Sequence, residues 1–308
     1  MLGPVLLAAA GSDRVRRLVS ATPLTRPVVD RFIAGDELPD ALDATRALLA
    51  RGLTVTLDRL GESVTDPARA AGNRDGYLAL VDELAAAGIA ERAELSVKLS
   101  AFGQALPGGH DIALRNVSRV VAAATDAGTA VTLDMEDHRT VDSTLAIHRE
   151  LRADFPGTGA VLQSYLFRSE DDARALASTG ARVRLVKGAY REPPQVAFQR
   201  RSEVDLAYVR CLRLLMTGEG YPMVGTHDPR LVAVAEELAK RAGRAFDGYE
   251  FQMLFGIRDA EQRRLAAQGH RVRVYVPYGT DWYGYFMRRL AERPANLAFF
   301  ARSLATRN

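Results

Sequence analysis

Downstream of Gly52 the chain repeats one pattern eight times, and no other feature restricts its fold so strongly. Each unit opens with a short run of apolar and β-branched residues, which reads as a strand. It continues into a longer stretch whose apolar residues recur at helical spacing. The strand runs are LTVTLD (53–58), ELSVKL (94–99), AVTLDM (130–135), AVLQSY (160–165), RVRLVKG (182–188), PMVGTH (222–227), YEFQML (249–254) and VRVYVP (272–277). Eight strand–helix units in about 240 residues predict an α/β fold, a closed (β/α)8 barrel of the TIM type. An open doubly wound sheet shares the alternation, but no G-x-G-x-x-G follows the first strand. Before the barrel, SDRVRRLVS, TRPVVDRFIAG and LPDALDATRALLARG read as helices that stop at Gly35 and Gly52. The expected organisation is an N-terminal helical segment (1–52) and a catalytic barrel (53–308), one domain overall.

Composition narrows the partners. Basic residues exceed acidic ones by only 41 to 38, and no basic stripe is interleaved with aromatics, so nucleic acid is not expected as a partner. The apolar start MLGPVLLAAAG is short and has no preceding positive charge, so it reads as a first helix rather than a leader. No stretch is apolar enough for a membrane span. A single cysteine, Cys211, sits in a helical apolar pattern as buried filler and fits a cytoplasmic setting. Of the basic residues only Lys98, Lys187 and Lys240 are lysine, and two of these end predicted strands. A lysine kept in so arginine-rich a chain suggests a geometry that arginine does not supply.

A barrel collects functional groups at the carboxyl ends of its strands. Those ends carry Asp58, Lys98, Asp134, Gln163, Lys187, Thr226 with His227, Gln252 and Tyr275, a ring of polar groups about one mouth. In RVRLVKGAYRE, Arg182 and Arg184 share one side of a strand and need either a buried partner or a solvated rim. In LDMED, Asp134 and Glu136 share a side; His138 is the only nearby histidine, so no metal is expected. A carboxylate pairing between Asp134 and Lys98 of the adjacent strand fits better. Lys98 itself suits a Schiff-base lysine or a plain cation. On the final helix Tyr285, Arg288, Arg289 and Glu292 share one face, while Trp282, Tyr283, Phe286, Met287 and Leu290 cover the other. The polar face is either solvated or turned down over a cavity that holds a carboxylate, for which paired guanidiniums are suited. A Gly279-Thr280-Asp281 corner is expected to cap this helix.

SVKLSA, LDMED, VLQSY, RLVKGAY, THD, YEFQML and the final YVPYGT with YFMRRLAE follow one another at one motif per strand. Together they resemble the proline dehydrogenase family over residues 53 to about 300. The resemblance implies FAD-dependent oxidation of L-proline to 1-pyrroline-5-carboxylate, with electrons passed to a membrane quinone. It implies a final helix roofing the barrel mouth. Arg288 and Arg289 match the pair that grips the substrate carboxylate, assisted by Lys98. Tyr275, Tyr285 and Leu254 match residues packing on the proline ring. Glu62 matches a gate residue that pairs with the second arginine when the site closes. Asp134 and Arg184 take the catalytic positions, Arg184 beside the flavin. Met135, Gln163, Val186, Lys187, Gly188, Ala189, Thr226, His227 and Glu292 fall on FAD-contacting positions.

Large bifunctional relatives carry tryptophan where Arg191 stands and a longer segment between Thr280 and Tyr285, so this chain resembles the small monofunctional branch. The product is then expected to pass to a separate pyrroline-5-carboxylate (glutamate-semialdehyde) dehydrogenase. The expected location is cytoplasmic, or peripheral on the inner face of the membrane. Tyr275 favours proline over hydroxyproline. The principal rivals are a lysine-dependent barrel lyase built on Lys98 or Lys187, and an arginine-rich binding protein without catalysis.

Overall fold

The computed structural model describes residues 29–62 and 64–292, with backbone only for 290–292. The predicted helices before Val29, and the Leu290 and Glu292 side chains, lie outside the described residues. The helical elements are α1 (Leu38–Leu49), α2 (Pro67–Ala86), α3 (Gly109–Asp126), α4 (Val141–Asp154), α5 (Ser169–Ala177), α6 (Arg201–Thr217), α7 (Pro229–Arg241), α8 (Asp259–Ala267) and α9 (Tyr283–Glu292). The strands are β1 (Thr54–Arg59), β2 (Ala93–Lys98), β3 (Val131–Asp134), β4 (Gly159–Gln163), β5 (Arg182–Val186), β6 (Tyr221–Gly225), β7 (Glu250–Leu254) and β8 (Val272–Tyr278). All pair in parallel, in sequence order, and β8 closes on β1 from Thr54 with Arg273 to Arg59 with Tyr278. The predicted (β/α)8 barrel is therefore the observed fold.

Strand alternation sorts the side chains unusually. Positions such as Val55, Leu57, Leu95, Val97, Val183, Leu185, Val274 and Val276 form one apolar core with helical residues such as Leu80, Val117, Ile147 and Leu212. The intervening positions point into the barrel, where branched aliphatics are the usual filling. Here they are largely polar: Glu94, Arg182, Glu250 and Arg273 low in the barrel, Ser96, Arg184 and Gln252 above them, and Asp58, Lys98, Asp134 and Gln163 at the top. Burying charge is tolerable only when it is paired and hydrogen-bonded. Glu94 accepts from Thr132 Oγ1 (2.6 Å) and Arg182, while Arg273 forks onto Glu250 through Nε (2.7 Å) and Nη2 (3.1 Å). Burial pushes the Glu94 carboxyl up, but Arg182, Arg273 and Arg184 outweigh it and hold it at about 2.

The slot outside β8 and β1, which an eighth barrel helix would fill, is occupied by α1. That leaves α9 free to cross the mouth. Its Trp282, Tyr283, Phe286 and Met287 pack on Val29, Phe32, Ile33, Leu60 and Ile257, anchoring it from above. The Gly279–Asp281 corner precedes the helix, but the Trp282 carbonyl accepts from Phe286 N–H (2.9 Å), so Trp282 occupies the capping position. Strand β8 also runs beyond the expected stop at Pro277. Past Tyr275, where β7 ends, Pro277 still pairs with Asp58 of β1, and its carbonyl accepts from Ala34 N–H (2.9 Å). A proline is tolerated where the ladder is one-sided.

Arg244, after α7, closes the opposite end of the molecule. Its guanidinium donates to the carbonyls of Leu215, Met216, Gly218, Gly220 and Gly248, satisfying the end of α6 and the turn after it. Arg244→Ala is expected to cost about 2 kcal/mol, which lowers Tm by roughly 3 °C for a chain of this size. Thermal unfolding of the two proteins checks this, and an unchanged Tm contradicts it.

Candidate active site

A cavity of about 1050 Å³ opens at the carboxyl ends of the strands beneath α9. Small-molecule sites usually occupy ~300–1000 Å³, so this one has room for more than an amino acid. It gathers the proposed residues from separate elements. Lys98 and Asp134 form its floor with Arg184 and Tyr275. Met135, Gln163, Val186, Lys187, Gly188 and Ala189 form one wall, and Thr226, His227 and Leu254 another. Tyr285, Arg288 and Arg289 hang from α9.

Asp134 organises the floor. Its Oδ1 accepts from Arg184 Nη1 (2.7 Å) and Ser96 Oγ (2.8 Å), and its Oδ2 from the Tyr275 hydroxyl (2.7 Å). With those oxygens engaged, Lys98 turns away. Its Nζ donates to Asp58 Oδ2 at 2.6 Å and stands 3.6 Å from Asp134. The expected Lys98–Asp134 pair is thus a longer ion pair, and Asp58, from the strand on the other side of β2, is the nearer partner. Burial alone pulls the Lys98 ammonium down, but Asp58, Tyr275 and Asp134 outweigh it and raise it well above its ordinary range. Burial, ahead of the neighbouring Asp134, also pushes the Asp58 carboxyl up, against Lys98. Lys98 is therefore a fixed cation and a poor nucleophile.

Arg184 is 4% exposed and has the buried partners that its position demanded. Besides Asp134 and Ser96, it donates through Nε to Gln252 Oε1 (2.5 Å), and its guanidinium lies over the Tyr275 ring at 5.4 Å. Its Nη2 approaches Glu94 Oε1 at 3.5 Å yet has no hydrogen-bond partner among the described residues.

On the roof, Arg288 Nη2 donates to Glu62 Oε1 (2.5 Å) and stacks on Tyr190 at 5.7 Å, while Arg289 stacks on Tyr285 at 5.1 Å. Glu62, expected to meet the second arginine when the site closes, is bonded to the first, Arg288, in this structure. Consecutive helical residues point about 100° apart, and only Arg288 is aimed at the loop after β1.

The walls are more rigid than the motifs suggested. Gly188 has φ +114°, and a Cβ there would meet the Tyr165 ring at 2.4 Å, so both conformation and space demand glycine. Lys187 pairs with Asp205 (2.5 Å) and Asp228 (3.3 Å). His227 Nε2 accepts from Leu254 N–H (2.9 Å), which leaves the proton of the neutral ring on Nδ1. Gln163 Nε2 donates to the Glu136 carbonyl (2.6 Å). Glu136 does not join Asp134: β3 ends at Asp134, alternation stops, and the carboxylate turns to Ser100 N–H (3.1 Å) and Oγ (2.6 Å). Burial raises its carboxyl to about 6.

Sequence reasoning passed over Tyr190, and over Arg201, Ser202, Asp205, Asp228 and Arg230, all of which line the same cavity. The signal was available in the fold itself. Every barrel helix that follows a strand presents its N-terminal turn to the mouth, and α6 and α7 begin at Arg201 and Pro229. Arg258 also lines the cavity. It is the only non-glycine residue with positive φ (56°) among the described residues, held by its donation to the His227 carbonyl (2.9 Å).

The proline dehydrogenase family profile matches residues 41–302. A proline dehydrogenase of Deinococcus radiodurans is 41% identical over 280 residues, covering 90% of each chain. Proline dehydrogenase 1 of Bacillus subtilis strain 168 is 38% identical over 283 residues, covering 91% of each. Among solved structures, proline utilization A (PutA) from Bdellovibrio bacteriovorus, inactivated by N-propargylglycine, superposes with a TM-score of 0.82 at 25% identity. It matches 92% of this chain and 34% of its own length.

Proposed function

The chain belongs to the proline dehydrogenase family, and on that premise we propose that the cavity beneath α9 binds FAD and L-proline together. The reaction is the oxidation of proline to 1-pyrroline-5-carboxylate. The observation that carries this reading is the gathering of Arg288, Arg289 and Lys98, three cations suited to a carboxylate, over the same cavity as Arg184.

The residues present fit a flavin. The buried Arg184 guanidinium lines a cavity larger than proline requires. Val186, Lys187, Gly188, Ala189, Met135 and Gln163 would hold the ring system and the chain leading from it. Thr226 and His227, with Arg201 and Ser202 at the start of α6, would hold the nucleotide end, where helix N-terminal N–H groups favour phosphate. When bound, FAD supplies the hydride acceptor for C5 of proline.

The chain's own groups bind and orient the substrate. Arg288 and Arg289 offer forked donors to the carboxylate, and Lys98, kept charged by Asp58, adds a third cation. Tyr275, Tyr285 and Leu254 pack on the ring and exclude water, which strengthens each of these polar contacts. Asp134 holds both Arg184 and the Tyr275 hydroxyl, so it acts by aiming them. Lys98 already carries its proton and cannot take the one that the substrate amine loses. That same charge argues against a Schiff-base lyase on Lys98. Tyr275, tied to Asp134, occupies space that a ring hydroxyl would need, which favours proline over hydroxyproline. Electrons are assigned to a membrane quinone and the product to a separate dehydrogenase. The barrel (53–308) and the helical segment (1–52) act as one domain, cytoplasmic or bound peripherally to the membrane. No helix among the described residues is long and apolar enough to cross a membrane.

An anaerobic visible spectrum tests the reading. Flavin bands in the purified protein that bleach on adding L-proline are the expected result. A protein that stays colourless after FAD is supplied overturns it.

A further inference from the structure

Below the site, the barrel interior carries a second constellation, Glu94, Arg182, Glu250 and Arg273, that does not line the cavity. Glu94 lies 3.5 Å below Arg184 and also meets Arg182 and Arg273, the latter at 3.8 Å. Glu250 is gripped by Arg273 and accepts from Gln252 Nε2 (2.6 Å). That bond fixes which way the Gln252 amide faces, so its oxygen is necessarily presented to Arg184 Nε. With the Asp58–Lys98 pair above, four carboxylates (Asp58, Glu94, Asp134 and Glu250) balance four cations (Lys98, Arg182, Arg184 and Arg273) in one interior. Of these eight charged groups, Arg184 alone belongs to both levels: it lines the cavity and reaches Glu94.

We propose that Glu94 is a positioning residue that sets the reduction potential of the bound flavin by neutralising and holding Arg184 from beneath. The proposal rests on the functional reading above. A carboxylate buried beneath Arg184, in a medium far less polarisable than water, would oppose the negative charge that a flavin in the cavity gains on reduction. Arg184 favours that charge, and Glu94 cancels part of its effect. Arg182, on the far side of Glu94, restores some of it by drawing the carboxylate away. Substitutions at Glu94 and Arg182 therefore change the potential in opposite directions without removing any group that contacts substrate.

The test is the midpoint potential of the holoenzyme, measured by anaerobic redox titration against a reference dye at fixed pH, together with Tm. Glu94→Gln keeps the shape and one acceptor oxygen but removes the charge. It is expected to shift the equilibrium toward reduced flavin by roughly tenfold, which is about 30 mV more positive for a two-electron couple. Arg182→Gln is expected to shift it the other way. Glu94→Asp keeps the charge and should leave the potential near wild type even where Tm falls. If Glu94→Gln does not fold, the negative shift in Arg182→Gln, with no shift in Glu94→Asp, decides the matter. Potentials that do not move, or that move in the same direction in both neutralising variants as general loosening would produce, overturn the role of Glu94. A wild-type protein that binds no flavin overturns the reading of the site itself, and the proposal with it.

Discussion

Replacing Arg288 by methionine is expected to raise the KM for L-proline by roughly 10²–10³-fold, while the flavin-to-protein absorbance ratio stays at its wild-type value. The size follows from removing one partner of a desolvated charge pair. Arg289→Met should weaken proline binding as well, but less, because the two arginines are not equivalent. Arg288 is bonded to Glu62 and stacked on Tyr190, whereas Arg289 stacks on Tyr285. Removing Arg288 leaves the half-buried Glu62 carboxylate uncompensated at the mouth, where it repels the incoming substrate carboxylate. The double variant Glu62→Ala/Arg288→Met should recover part of the loss, a non-additivity that contact through Arg288 alone does not produce. Steady-state kinetics of the three variants decide this. Wild-type KM in either single variant removes the carboxylate assignment.

Arg184→Ala should act on a different step. The rate of flavin reduction by saturating proline, followed anaerobically by stopped flow, is expected to fall by roughly 10²–10³-fold, the usual cost of deleting a preorganised charge-stabilising donor. The KM for proline should change far less, because Arg184 does not reach the carboxylate end of the site in this reading. Folding suffers too: Asp134, Glu94 and Gln252 lose a common partner in the barrel interior. Breaking such a buried pair from one side costs about 3–5 kcal/mol. Arg184→Lys should restore part of the stability and little of the rate. A single ammonium cannot serve Gln252 through one edge and Ser96 with Asp134 through another. A normal rate of flavin reduction in Arg184→Ala contradicts the assignment.

Much of this architecture could be read from residue order. Strands β1 to β8 fall within a residue or two of the runs from LTVTLD to VRVYVP, with β8 running one residue past Pro277. The polar strand ends mark the mouth for the same reason: in a parallel barrel every strand ends on the same rim. The shared face of Tyr285, Arg288 and Arg289 was legible from their spacing, but spacing left that face either solvated or over a cavity, and only the family resemblance implied a roof. The partner choices were only partly legible. Lys98 does ion-pair with Asp134 of the adjacent strand, at 3.6 Å, but Asp58 is its nearer partner, and Glu62 is bonded to Arg288.

The sequence by itself determined which side of each strand a residue occupies, because a period of two and the position of Gly and Pro are local properties of the chain. Only the closed barrel decided which charges meet. Once β8 pairs with β1, side chains from strands far apart in sequence cross a shared interior, and Glu94 of β2 reaches Arg182 of β5 and Arg273 of β8. Each buried charge must then be matched within one small, weakly polarisable volume, so the partners are chosen by distance across the ring rather than by neighbourhood along the chain.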